Sequence, residues 1–177
     1  MTRTNISIAY DKLGQLPEAI EQQERALQIL IAAHGEDHFF VATARLKLAT
    51  LELENGKPER ALHLYREASE HAEASTRCLI LFGIAEILLR MGRAEEVLPL
   101  MEEAQGRLVD APASFGSRTE ALLYQAYAQW QLGRRSEAKR LAARAVEQAQ
   151  ADDDPEYART VREWQAKPTG FPPDRTL

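Results

Sequence analysis

The chain has 177 residues, 45% hydrophobic and 28% charged, the balance of a folded chain and not a disordered one. Its net charge of −5 and pI of about 5.5 argue against a nucleic acid or an anionic membrane as the main partner, because both need concentrated positive charge. The single cysteine, Cys78, excludes an intramolecular disulfide, and no apolar run approaches the roughly 18 residues of a membrane span.

Along the chain, apolar residues recur at steps of three and four, the spacing that lays one stripe along a helix. No alternating, β-branched run suggests a strand. The pattern predicts nine helices, at about 3–13, 17–33, 38–55, 58–74, 76–91, 94–109, 117–132, 135–150 and 155–166. Pro17 and Pro58 suit the first turns of the second and fourth, where a missing N–H loses nothing. Asp37 and Ser75 are expected as caps of the third and fifth. Ser117 with Glu120 has capping-box spacing, and Asp154-Pro155 reads as a cap followed by the first helical residue. The segment 110–116 reads as a surface loop, and 167–177, with three prolines and no periodicity, as a disordered tail.

Gly14, Gly56, Gly92 and Gly133 each stand between two of these helices. Five residues after each comes Ala19, Ala61, Val97 or Ala138, positions 42, 36 and 41 apart (61−19, 97−61, 138−97). A period of this size is the mark of stacked helix pairs. Each glycine is expected to end its helix in the left-handed conformation.

The residues around the glycines resemble the tetratricopeptide repeat (TPR). The four repeats read Ser7, Tyr10, Gly14, Ala19, Ala26; then Ala49, Glu52, Gly56, Ala61, Ala68; then Ala85, Leu88, Gly92, Val97, Ala104; and Ala126, Gln129, Gly133, Ala138, Ala145. The segment 26–68 is similar to the longer, 42-residue form found in kinesin light chain and in bacterial signalling and regulatory proteins. Gly35-Glu36-Asp37-His38 stands where that form joins its pairs, with Phe39 in place of the family's proline. The resemblance implies an all-α, right-handed α-solenoid of antiparallel helix pairs. It would comprise one domain over 1–166, with repeats at about 2–34, 35–75, 76–112 and 117–151 and a capping helix at 155–166.

The resemblance also implies a concave groove lined by the first helix of each pair. The matching positions are Thr43, Leu46, Thr50 and Leu53; Leu79, Phe82, Glu86 and Leu89; and Glu120, Leu123, Tyr127 and Trp130. Candidate partner-binding residues are therefore Leu46, Thr50, Leu53, Phe82, Glu86, Leu89, Tyr124, Tyr127 and Trp130, the competing role for the large ones being core between pairs. The lysine and asparagine clamp of chaperone-binding members has no counterpart at Thr4, Ile8, Lys47, Leu79 and Gly83. Of the asparagines that hold peptide backbone in kinesin light chain, only Asn5 has one.

Other constellations are weaker. His34 and His38 flank Gly35 and are expected to be turn residues and not metal ligands. His63 and His71 read as surface residues, Cys78 as a packed thiol, and Arg134, Arg135, Lys139, Arg140 and Arg144 as a solvated basic face. No catalytic constellation, cofactor site or metal site is expected. The reading is a non-catalytic, cytoplasmic scaffold for a protein or peptide partner. The alternative is a ligand- or peptide-sensing region of a larger bacterial kinase or transcription activator. Ile6, Ile8, Tyr10 and Leu13, in a first helix with nothing before it, suggest a longer parent protein or self-association at that end.

Overall fold

The computed structural model describes residues 7, 10, 11, 13–70, 72, 74–108 and 118–168. It is all-α along these residues. The helices are α1 (Leu16–His34), α2 (Phe39–Glu54), α3 (Pro58–Glu70), α4 (Ala74–Arg90), α5 (Ala94–Arg107), α6 (Arg118–Gln131), α7 (Arg135–Ala151) and α8 (Pro155–Ala166). Short turns join α2 to α3, α4 to α5 and α6 to α7, which makes the two helices of each pair antiparallel neighbours, as in an α-solenoid fold. Two compact units result, Met1–Ile80 and Leu81–Leu177.

The turns explain the spacing that the sequence repeats. Gly56 has φ 72°. Its N–H donates to the Leu53 carbonyl at 3.0 Å, and the Lys57 N–H reaches back to the Glu52 carbonyl at 2.9 Å. These are the two bonds of a Schellman motif, which needs a residue in the left-handed region. Gly14, Gly92 and Gly133 repeat it, with φ of 71°, 73° and 76°. The residue after the glycine then opens the next helix: the Lys57 carbonyl accepts from Ala61 N–H at 3.1 Å. Gln15 does so for Ala19 at 3.0 Å and Arg134 for Ala138 at 3.1 Å. One residue thus closes a helix with its N–H and starts another with its C=O. In these three turns the residue bonded to that carbonyl falls five after the glycine, while after Gly92 it is Glu96, four on, that donates to the Arg93 carbonyl at 3.2 Å; Ala19, Ala61, Val97 and Ala138 are all fully buried. A small side chain at that point lets the two helices of a pair approach closely.

A fifth copy of this turn carries no glycine. Asp153 takes φ 54°, its N–H donates to the Gln150 carbonyl at 3.3 Å, and Asp154 N–H reaches the Ala149 carbonyl at 2.8 Å. The Asp154 carboxylate then accepts from Tyr157 N–H at 2.9 Å, the cap expected for α8.

In the first unit, α1, α2 and α3 enclose Ile20, Val41, Leu48, Leu51 and Leu62. Ion pairs anchored on two buried charges, Arg45 and Glu52, stitch the helices together. Arg45 of α2 pairs with Glu36 in the α1–α2 turn and lies 3.7 Å from Glu67 of α3. Glu52, buried on α2, meets the Arg60 guanidinium of α3 at 2.8 Å, and Arg60 also pairs with Glu24 of α1. In the second unit, Ile84, Ile87, Leu88, Val97, Met101, Leu123 and Val161 form the core, joined by Tyr127 and Trp164.

Three expectations change. The cap of α2 is His38 and not Asp37: the first intrahelical bonds run to the His38 carbonyl, and its imidazole Nδ1 accepts from Phe40 N–H at 3.2 Å. The fourth predicted helix stops at Glu70 and not 74, and the fifth begins at Ala74, so Ser75 is inside it and not its cap. Most of the first predicted helix, the Ser117 cap, the loop 110–116 and the tail 169–177 lie outside the described residues; residues 7, 10 and 11 have helical backbone.

Candidate functional site

The site residues divide by burial. On α2, the residues left accessible are Phe39, Phe40, Thr43, Leu46, Lys47, Thr50, Leu53 and Glu54. At 3.6 residues per turn they fall within an arc of about 140°. The rest of α2 is buried, from Val41 to Glu52, against α1 and α3. The Gln23 side chain of α1 fixes one flank by donating to the Ala44 carbonyl at 3.0 Å. Leu46 and Leu53 are half-buried on this stripe and Thr50 is exposed. The three are brought together along one helix face, and Phe39, 53% exposed, extends the row by a further seven residues.

The row is chemically quiet. The Thr43 hydroxyl donates to the Phe39 carbonyl at 3.0 Å and the Thr50 hydroxyl to the Leu46 carbonyl at 3.1 Å. The Tyr65 hydroxyl of α3 approaches Thr50 at 3.5 Å. At one flank stand Lys47 and Glu54. Burial, and then the neighbouring charge of Asp11, push the Glu54 carboxyl above its ordinary range. Beyond Phe39 the rings of Phe40, His38 and His34 continue, with the two imidazoles stacked at 4.5 Å and His38 5.0 Å from Phe40. Sequence spacing overlooked Phe39 and Phe40; carrying the seven-residue step back from Leu53 and Leu46 reaches Phe39.

In the second unit the corresponding helix is closed. Every residue from Ala121 to Ala128 of α6 is buried. Tyr127 is wholly enclosed: its ring lies 4.9 Å from Trp164 of α8 and 6.5 Å from Tyr124, which in turn meets Phe82 of α4 at 5.7 Å. The Tyr127 hydroxyl meets no hydrogen-bond partner among the described residues, and burial pushes its ionisation far above the ordinary tyrosine value. Leu89, Phe82 and Tyr124 are buried as well. Within this unit these four are packing residues. Glu86 and Trp130 remain half-exposed. Glu86 holds Arg90 at 2.8 Å, and Trp130 is covered on one face by the Arg135 guanidinium at 3.7 Å and edged by Trp164 at 5.8 Å.

The remaining candidates are ordinary. Cys78 is buried. His63 is exposed, 3.5 Å from Glu67, and His71 lies outside the described residues. On α7, Arg140 pairs with Glu137 at 2.6 Å, and just before it Arg134 lies 3.8 Å from Glu95. No group of three or more His, Cys, Asp or Glu among the described residues could hold a metal ion. No helix among them is long and apolar enough to cross a membrane.

Comparison with known proteins agrees with this architecture. Residues 1–74 match the family model of the tetratricopeptide repeat. No curated protein matches the sequence. Among solved structures, the chain is similar to a singly substituted form of nearly identical TPR-like repeats of Podosopora anserina assigned to a kinesin light chain. That likeness has 19% identity, covers 93% of both chains and reaches a TM-score of 0.69. A second structure of those repeats gives 17% identity over 94% of this chain and 96% of that one, at 0.67. BtubC (BKLC) from P. vanneervenii gives 17% identity over 99% of this chain and 67% of that one, at 0.71. Residues 1–74 thus carry tetratricopeptide repeats, and the chain has the TPR fold in a form resembling kinesin light chain repeats.

Proposed function

We propose that the chain is a non-catalytic scaffold that holds a protein partner through the accessible face of α2. The observation that carries this is the row of Phe39, Thr43, Leu46, Thr50 and Leu53, a neutral and mostly apolar stripe on the accessible face of α2, with Phe40, Lys47 and Glu54 along its flank. Phe39 is exposed and Leu46 and Leu53 are half-buried, so part of their apolar surface stays in water until something covers it. Repeats of this fold commonly serve as interaction scaffolds, and the resemblance to them supports reading this helix face as the one turned towards a ligand. Leu46, Thr50 and Leu53 are the contact residues of this reading. Glu86 and Trp130 are secondary contacts in the second unit, while Phe82, Leu89, Tyr124 and Tyr127 serve as its support.

The test is quantitative affinity capture with the wild-type chain and with a Leu46→Gln, Leu53→Gln double variant of equal thermal stability. A partner recovered by the first and lost from the second supports the reading. Equal recovery of every captured protein by both contradicts it.

A further inference from the structure

The α2 stripe also says what shape of partner it fits, an inference that rests on the scaffold reading above. Its members stand at 39, 43, 46, 50 and 53, in steps of four, three, four and three. That is the spacing of a coiled-coil seam, whose mean of 3.5 residues keeps a row facing a second helix along its length. Such a row offers knobs and holes to another helix.

Hydrogen bonding separates this partner from an extended peptide. An extended segment arrives with its N–H and C=O groups unpaired and needs side-chain donors and acceptors to replace water. The stripe has no Asn or Gln, and both of its threonine hydroxyls already donate to their own helix, to Phe39 and Leu46 carbonyls. A helix brings its backbone bonds already made and needs only apolar contact. Charge gives the partner a polarity. Lys47 stands on the flank of the row and Glu54 two turns further on, so a cation is favoured at the Glu54 end and an anion opposite Lys47.

We infer that α2 docks an amphipathic α-helix of a partner protein, with apolar residues at alternating steps of three and four and a basic side chain where it meets Glu54. The test uses the full chain and two fluorescein-labelled synthetic peptides of about 21 residues, three heptads. One is a hydrocarbon-stapled helix with leucine at its seam positions, glutamate at its centre and lysines at one end. The other has the same composition with two seam residues replaced by proline, so that it cannot form a helix. Fluorescence anisotropy should show the stapled helix binding at least about tenfold tighter than the proline peptide. Leu46→Gln with Leu53→Gln should weaken it by about tenfold or more. Glu54→Lys should weaken it by several-fold, and reversing the peptide's lysines to glutamates should restore that loss. Thr50→Lys, at an exposed position, repeats the test should the double variant fold poorly.

Equal binding of both peptides, lost together in the stripe variants, would overturn the helix inference and leave the scaffold reading standing. Helix binding that the stripe variants leave intact would overturn both. Failure of the stapled helix to bind would overturn the inference alone, because capture of a natural partner tests the scaffold reading independently.

Discussion

Helices α2 and α6 hold the same place in their repeats, end in the same Schellman turn, and differ in what they leave open. Thr50 and Tyr127 both lie six residues before their glycine, and the first is exposed while the second is wholly buried. The cause is side-chain size and the neighbour that size recruits. Threonine is short and satisfies its own hydroxyl on the helix. Tyrosine presents a large apolar ring that Trp164 of α8 covers edge-on at 4.9 Å. The two units also differ in how their helices are joined. The first uses ion pairs through Arg45, Glu52 and Arg60, the second a chain of rings from Phe82 to Trp164. Position within a repeat therefore sets which way a side chain points, while the chemistry at that position decides whether it stays available to a partner.

Truncation should separate the two helices most sharply. Tyr127→Ala should cost about 3–5 kcal/mol, the usual range for deleting a buried ring, whereas Thr50→Ala should stay within about 0.5 kcal/mol. Urea unfolding followed by circular dichroism reads both. Similar costs at the two positions would erase the distinction.

Next in size is the ion-pair side of the contrast. Arg60→Ala leaves the buried Glu52 carboxylate with Lys57 at 3.7 Å as its nearest cation, and should cost about 2–3 kcal/mol. Glu52→Gln in the same background should recover part of that loss, since no unpaired charge is then buried. A double-mutant cycle measures the coupling, and additivity would show that the pair contributes nothing.

Tyr127→Phe should act in the opposite sense to Tyr127→Ala, raising stability by about 1 kcal/mol, because it deletes a buried hydroxyl without a hydrogen-bond partner. The alkaline limb tests the same point. The folded state holds Tyr127 protonated to higher pH than the unfolded chain, so the unfolded state binds fewer protons above about pH 10. Stability from this group is complete below that pH and falls above it. The wild-type curve should therefore drop relative to Tyr127→Phe on raising the pH through about 10, as thermal melts would show.

The smallest effect concerns the fifth turn. Asp153 bears the cost of a left-handed conformation that the four glycines avoid, so Asp153→Gly should raise stability by about 0.5–1 kcal/mol. Gly56→Ala should lower it by about 1–2 kcal/mol, since the same conformation is then imposed on a residue with a Cβ. Differential scanning calorimetry of both variants checks the opposite signs.

Much of the fold was legible because glycine turns and small buried residues are local signals with fixed spacing. Gly56 and Ala61 announce a turn whose hydrogen bonds require that spacing. Asp153 escaped notice because an aspartate can take the glycine's place without changing the register. His38 displaced Asp37 as a cap because the helix begins one residue later, which the sequence marks only through the pair of phenylalanines. The site was legible to a lesser degree. Repeat register grouped Leu46, Thr50 and Leu53, which the structure leaves accessible on one face of α2. It could not tell that Tyr127 would be enclosed, because that depends on Trp164 of α8, distant in sequence.

Hydroxyl-radical footprinting of the native chain tests the central contrast most directly, since it reads side-chain exposure residue by residue. Phe39, Leu46 and Leu53 should be oxidised rapidly, while Leu89, Leu123 and Tyr127 stay protected until the chain unfolds. Protection of the α2 stripe in the isolated chain, or ready oxidation of Tyr127, would contradict the account.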